Sequence, residues 1–401
     1  MTATSSGDKT VGIYLHIPFC LKKCNYCDFL SFEGEPATIH EAYAKALAKE
    51  IELLGSVYSK KYLVDSIFIG GGTPSILAPS AISGILHAVR DGFAVQKDAE
   101  ISIEANPRTL SASKLESYLN AGINRLSIGA QSLDDAVLKS LGRVHLSDDV
   151  FECFETARAA GFENINLDLM LGVPGQTGEI WEATLAGVIG LEPEHVSFYS
   201  LQVEEGTKLH EMLAAGTVKG VSEELDREMY HFAVKELRSA GYCHYEISNA
   251  AKPGRECRHN VKYWSMASYL GAGLGAHSYV DGARFGNARS LEEYIEMGSK
   301  RSWELAEIGA LREWVHENDA ADDMSEYMFT GLRMMKGIST GDFESRFGRR
   351  LSDVYAREWP AIQRYISGGF LIFEGGMLRL SEKGVDISNR IMSEFMLGRE
   401  G

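Results

Sequence analysis

Positive charge, proline and uninterrupted hydrophobic stretches are what this sequence has least of. Lys and Arg number 40 against 56 Asp and Glu, a formal net charge of −16. Such a field repels phosphate polyanions and anionic lipid, so nucleic acid or a membrane surface would need a local basic patch, and the sequence offers none. No stretch approaches the roughly 20 apolar residues that cross a bilayer. Residues Met1 to Thr10 carry neither an apolar segment nor an Arg-rich amphipathic pattern, so the expected location is the cytoplasm, with no integral membrane segment. Cysteine is also scarce. Of six in 401 residues, half fall between Cys20 and Cys27, a distribution that points to metal ligation in a reducing compartment rather than to disulfides.

A hydrophobic content of 45% is enough to fill one large core and a smaller one. Short apolar runs alternate with amphipathic segments of helical length through the first 240 residues. Strands are expected at Val11 to Ile17, Ser66 to Ile69, Glu100 to Ala105, Arg125 to Gly129, Asn164 to Leu171 and His195 to Leu201, and a first helix near Glu41 to Leu54. Near-continuous apolar strands are buried on both faces, and right-handed crossovers curl six βα units into a partial TIM-type barrel, an α/β fold over residues 1–240. Residues 241–310 turn irregular and rich in glycine and aromatics, which reads as a connecting lobe. Residues 311–401 show helices near Asp323 to Met334, Gly341 to Phe347 and Leu351 to Ser367. Apolar strands then flank Gly375-Gly376, and a last helix runs from Glu382 to Met396, together a winged-helix-like α+β domain. DNA binding is the obvious use of that shape, but this stretch holds 15 acids and 12 bases, which favours packing or gating.

Cys20-Leu-Lys-Lys-Cys24-Asn-Tyr-Cys27 follows the first strand directly, so its backbone can wrap one compact metal centre. Structural zinc takes four protein ligands, usually from separated Cys-x-x-Cys pairs, and no second pair exists here. His16, inside a buried strand, is poorly placed to be a fourth. An iron–sulfur cubane held by three cysteines leaves one iron open, which suits this loop. Barrel sites form at the C-terminal ends of strands, and polar groups collect there. Gly70-Gly71-Gly72-Thr73-Pro74 ends the second strand, where missing Cβ atoms allow close backbone approach. Glu104 ends the third, Gln131-Ser132 the fourth, Asp168 lies in the fifth, and Arg143 sits in the connection after the fourth. Each alone has a bland alternative as a turn, a surface residue or a cap.

The cysteine spacing after a first strand is the signature of the radical S-adenosylmethionine (SAM) superfamily, which the chain resembles from Val11 to about Ala240. The resemblance implies a [4Fe-4S] cluster on Cys20, Cys24 and Cys27, with SAM chelating the open iron. It implies SAM-binding roles for Tyr14, Gly71, Gly72, Thr73, Glu104, Gln131, Arg143 and Asp168. Further motifs, His16-Ile-Pro-Phe-Cys20, Glu104-Ala-Asn-Pro and Ser127-Ile-Gly-Ala-Gln-Ser132, are similar over nearly the whole chain to the oxygen-independent coproporphyrinogen III oxidase family and its heme-chaperone branch, HemW. The oxidases carry a further cysteine two residues after the third, where this chain has Phe29. Arg258-His259-Asn260-Val-Lys-Tyr263-Trp264 resembles the His-Asn-x-x-Tyr-Trp heme motif of the chaperones.

That motif offers an imidazole for heme iron in His259, aromatic faces in Tyr263 and Trp264, and a propionate partner in Arg258. Cys257 is a competing axial ligand, and a histidine beside aromatics is otherwise most often a packing residue. Cys153 and Cys243 are expected as ordinary buried thiols, and His277 stays unassigned. The expected function is heme chaperoning: heme and a SAM-ligated cluster are bound, and heme passes from a donor to apo-heme-protein acceptors such as respiratory enzymes, with a homodimer left open. The alternative is oxidative decarboxylation of coproporphyrinogen III. A DNA-binding iron or heme sensor is disfavoured by charge.

Overall fold

Val11, Ile13, Leu15 and Ile17 recur at every second position, and in the computed structural model all four are buried in the main core. The structure describes residues 9–300 and 309–398, so most of the Met1 to Thr10 stretch lies outside the described residues. Strand β1 (Lys9–Ile17) is followed by β2 (Tyr62–Gly71), β3 (Val95–Ala105), β4 (Arg125–Gln131), β5 (Ile165–Leu171) and β6 (His195–Ser200). Each is parallel to the next, in chain order. Helices α1 (Ala37–Tyr58), α2 (Pro79–Gly92), α3 (Ala112–Asn120), α4 (Asp135–Ser140), α5 (Ser147–Ala160) and α6 (Gly178–Gly190) fill the crossovers. The repeated right-handed βα unit gives the expected partial barrel.

The sheet does not stop at six strands. Beyond β6, β7 (Cys243–Glu246) and β8 (Asn249–Ala251) add antiparallel pairings, after a helix α7 (Glu223–Ser239). At the other edge β9 (Tyr269–Ala272) runs parallel to β1, and β10 (His277–Val280), β11 (Ala283–Asn287) and β12 (Arg312–Glu317) continue antiparallel, for 12 strands in all among the described residues. The glycine-rich segment read as a connecting lobe therefore feeds both edges of the barrel sheet. Its glycines serve close packing: a Cβ on Gly271 would stand 2.3 Å from the His277 carbonyl oxygen, and Gly273 has φ +95° against the His16 backbone.

Helix α8 (Arg258–Trp264) packs at the level of Gly12, Ser66 and Glu100, in the N-terminal half of the barrel strands. The Glu100 carboxylate caps it, accepting the backbone N–H groups of Arg258 at 3.1 Å and His259 at 3.2 Å.

After β12 come α9 (Ala320–Gly331), α10 (Thr340–Phe347), α11 (Leu351–Val354) and α12 (Trp359–Ser367). Hairpin strands Leu371–Glu374 and Met377–Leu380 pair with Ile338–Ser339 to give the wing. The helix expected over 351–367 is two, because Pro360 is fitted to a helix start and interrupts a continuing one. The last helix is likewise split into Glu382–Val385 and Ser388–Ser393. Asp386 meets His231 at 2.8 Å and Arg227 at 3.7 Å, tying this part to α7. No helix among the described residues is long and apolar enough to cross a membrane.

Candidate functional site

The cysteine loop is closed at its base by a two-residue parallel pairing of Phe19–Cys20 with Phe32–Glu33. Asn25 pins its middle, donating from its backbone N–H to Leu141 O and from Nδ2 to Ser140 O, both at 2.9 Å. The glycine segment packs directly beneath. Gly72 N–H donates to Ile17 O and Thr73 N–H to Phe19 O, each at 2.8 Å. A Cβ on Gly72 would stand 2.7 Å from Phe19 O and 3.0 Å from Cys20 Sγ; one on Gly71, whose φ is +115°, would strike the His16 ring at 2.6 Å. These glycines are required by how closely β2 approaches the cysteine loop.

Above them lies a cavity of about 530 Å³ whose lining brings together Cys20, Cys24, Cys27, Gly71, Gly72, Thr73, Glu104, Gln131, Arg143 and Asp168. Among the described residues, no three His, Cys, Asp or Glu side chains are placed to hold a single metal ion. The three free thiols instead ring one chamber, a donor set that fits a multi-iron cluster better than one zinc. Burial pushes the Cys27 thiol up to about 11 and the Cys20 thiol upward as well. Arg143 donates from Nη1 to Cys24 Sγ at 3.4 Å and from Nη2 to Gly129 O at 2.7 Å, and its Nε, buried, has no partner. The charge that would compensate thiolate ligands is thus already in place.

Two buried carboxyls face the same space. Glu104 accepts the Gly71 N–H at 2.9 Å, and burial, then the neighbouring Asp168, push it up to about 8. Asp168 accepts from Asn166 Nδ2 at 2.7 Å and Ser127 Oγ at 3.3 Å; burial raises it too. Near neutral pH Glu104 therefore holds a proton in the empty site, which a bound cation would displace. Gln131 holds a left-handed φ of +65° and accepts from the Tyr199 hydroxyl at 3.1 Å. Tyr14 is placed differently. It is not one of the cavity-lining residues; its hydroxyl lies 3.0 Å from His16 Nδ1, and its ring packs against Phe68 and His259. His16 Nε2 in turn donates to Leu30 O at 3.0 Å.

Arg258, His259, Asn260, Tyr263 and Trp264 do not all face one cavity. His259 is 0% exposed, with Nδ1 3.0 Å from Ser66 Oγ and Nε2 2.9 Å from the Tyr263 hydroxyl. Both nitrogens are engaged inside the barrel, and burial holds the ring neutral, its pKa pushed down to about 3. Trp264 is half-buried beneath the Arg333 guanidinium, 4.3 Å from the ring centre. Arg258 donates to the Asp98 carbonyl instead of facing a shared pocket with His259. Cys257 is equally closed, fully buried with Sγ 3.6 Å from Glu100, and its thiol is pushed up to about 12. Of the motif only Asn260 reaches the cluster cavity. Cys153 is buried as expected, but Cys243 is exposed, because its side of the short strand β7 lacks a covering element. His277, exposed, meets the edge of Trp314.

Sequence reasoning missed Tyr199, Asn249 and Asn106 on the cavity wall and the buried Arg125 near Glu100 and Asp168. Tyr199 ends β6 and was accessible to the same strand-end rule that found Glu104. A lone arginine opening the apolar run Arg125 to Gly129 was a signal as well.

Residues 14–186 match the Radical SAM superfamily model and residues 318–387 the HemN C-terminal domain. A heme chaperone HemW of Bacillus subtilis is 36% identical over 387 residues, covering 96% of this chain and 98% of that protein. The chain belongs to the heme chaperone HemW family. The HemW of Escherichia coli is 32% identical over 96% of this chain and 98% of its own length. A mitochondrial radical S-adenosyl methionine domain-containing protein 1 of Bos taurus is 37% identical over 96% of this chain and 87% of its own. The solved structure of Escherichia coli coproporphyrinogen III oxidase, HemN, superposes with a TM-score of 0.83 over 98% of this chain and 91% of that one, at 22% identity, which establishes the shared fold. Membership in this radical SAM branch makes a [4Fe-4S] cluster and SAM the cofactors of the barrel.

Proposed function

We propose that this chain is a cytoplasmic heme chaperone that holds a SAM-ligated [4Fe-4S] cluster, binds heme and hands it to apo-heme proteins. The observation that carries this reading is the cluster mouth itself. Three thiols, two buried carboxyls and a buried arginine line one 530 Å³ cavity, and Phe29, 62% exposed, stands at its rim where the oxidases carry a further cysteine. Cys20, Cys24 and Cys27 hold three irons. Glu104, which holds a proton near neutral pH when the site is empty, and Asp168 take the ammonium and ribose side of SAM. Arg143 pairs with the carboxylate side, and the Gly71–Thr73 backbone seats the methionyl group. When bound, the cluster supplies one-electron reduction to SAM. The chain's own residues orient both and exclude water.

The names of the relatives, heme chaperones over nearly full length, support heme as the cargo. The oxidase reading keeps one observation in its favour, the full-length fold match to HemN. Anaerobic cluster reconstitution, followed on one sample by hemin titration and a coproporphyrinogen III turnover assay, separates them. Heme binding without decarboxylation is the expected result; SAM-dependent decarboxylation would replace this reading with the oxidase.

A further inference from the structure

Side chains two apart on a strand share a face, so Glu100, Ser102 and Glu104 of β3 all point into the barrel, each about 7 Å from the next along the strand. Arg125, which opens β4, is paired in register with Ser102, and Ser127 with Glu104. Arg125 therefore stands at the level midway between two carboxylates. Glu104 lines the cluster cavity together with Asp168, whereas Glu100 holds the first N–H groups of helix α8. The charge of Arg125 acts on both levels, on Glu104 and Asp168 above and on Glu100 and Cys257 below.

This arginine is unusual in having no partner. It is 2% exposed, and its Nε makes no hydrogen bond. Lys262 and Arg333, two other cations beside α8, pair with Asp65 at 2.8 Å and with Glu246 at 3.3 Å; among the described residues Arg125 enters no ion pair. A buried guanidinium without a carboxylate is costly to hold. The acceptors within its reach are already taken. Glu100 accepts from the backbone of Arg258 and His259, with Cys257 Sγ 3.6 Å away, and Asp168 accepts from Asn166 and Ser127. Arg125 is thus a cation poised between two sets of acceptors, and it can pair with either only by displacing a donor already there.

We propose that Arg125 couples the cluster cavity to helix α8: a cationic ligand held by Glu104 and Asp168 drives the guanidinium onto Glu100, which then releases the N–H groups of Arg258 and His259. The proposal rests on the assignment of those two carboxyls to SAM made above. Two effects act in the same direction. The ligand's positive charge repels Arg125, and the carboxylates it engages no longer attract the guanidinium upward. A guanidinium–carboxylate pair is stronger than the two backbone hydrogen bonds it replaces at Glu100, so the cap is given up. Helix α8 carries His259 and Tyr263, both closed inside the barrel. Loosening its first turn is what those side chains require to turn outward, so filling the cavity prepares the helix that the sequence resemblance assigns to heme.

The test is hydrogen–deuterium exchange of the anaerobically reconstituted full chain with and without SAM, read on peptides spanning residues 258–264, with SAM binding followed in parallel by EPR. In wild type SAM is expected to speed exchange of that segment several-fold. Arg125→Met should keep the SAM-induced EPR change and lose the exchange response. Glu100→Gln, which keeps an acceptor for the backbone but no charge for Arg125, should lose the response as well, and Arg125→Lys should retain part of it. A purely structural arginine would leave the response intact in every variant that still holds its cluster. Exchange unchanged or slowed by SAM in wild type overturns the proposal, and so does a response of wild-type size in Arg125→Met or Glu100→Gln. The measurement needs no hemin, so a failure of heme binding does not decide it. If SAM leaves the wild-type EPR spectrum unchanged, the SAM assignment itself fails and this proposal falls with it.

Discussion

Arg143 and Cys24, 119 residues apart, meet at 3.4 Å across the mouth of the barrel, the guanidinium donating to the sulfur while its other arm grips the Gly129 carbonyl. A charged donor on a cluster ligand stabilises the extra electron of the reduced state. Arg143→Met is therefore expected to retain the cluster but lower its reduction potential and weaken SAM binding. An EPR-monitored redox titration reads the first and SAM-induced spectral change the second. A potential equal to wild type would remove Arg143 from the cluster's environment.

Glu104 carries a signed pH dependence. Its pKa rises from the usual carboxylate range to about 8 in the empty site, so the native state binds a proton that the unfolded chain releases. The site's contribution to stability is therefore largest at low pH and declines as pH climbs through the interval up to about 8. Glu104→Gln should stabilise the cluster-free protein above neutrality by about 1–3 kcal/mol while impairing SAM binding. In the wild type, SAM affinity should increase from pH 6 to 8.5, and in the variant that slope should flatten. Denaturant melts and SAM titrations across pH measure both.

Gly71→Ala places a methyl 2.6 Å from the His16 ring at a φ of +115°. Backbone and ring must both move, at a cost of about 1–3 kcal/mol. The expected result is poor cluster retention, measured as iron and sulfide per chain, with the barrel still folded by circular dichroism.

His259→Ala removes a fully buried ring and its contacts with Ser66 and Tyr263. A loss of about 2–4 kcal/mol in stability is expected, measured by denaturant melts of the cluster-loaded protein. An altered hemin spectrum without a change in melting temperature would show the ring acting on heme and not on packing.

The parts of this molecule legible in sequence are those written locally. The cysteine loop occupies eight consecutive residues, and the six parallel strands are apolar runs long enough to read, β1, β5 and β6 nearly to their ends. The strand-end rule placed Glu104, Gln131 and Asp168 on one cavity because a parallel barrel gathers strand ends at one mouth. The strands at both edges were not legible, since β8 to β10 are three or four residues long and set among glycines chosen for clearance rather than pattern. The placement of the motif residues was not legible for a related reason: four-residue spacing turns His259 and Tyr263 inward together, and only helical periodicity separates that face from the one carrying Val261 and Lys262.

Cys20, Cys24 and Cys27 holding a cluster that binds SAM is the central claim, and EPR of the anaerobically reconstituted, reduced protein with and without SAM tests it most directly. A [4Fe-4S] signal that shifts on SAM addition in wild type and is absent in the Cys20→Ala/Cys24→Ala/Cys27→Ala variant is the expected result. An identical signal in that variant, or a wild-type signal indifferent to SAM, would contradict it.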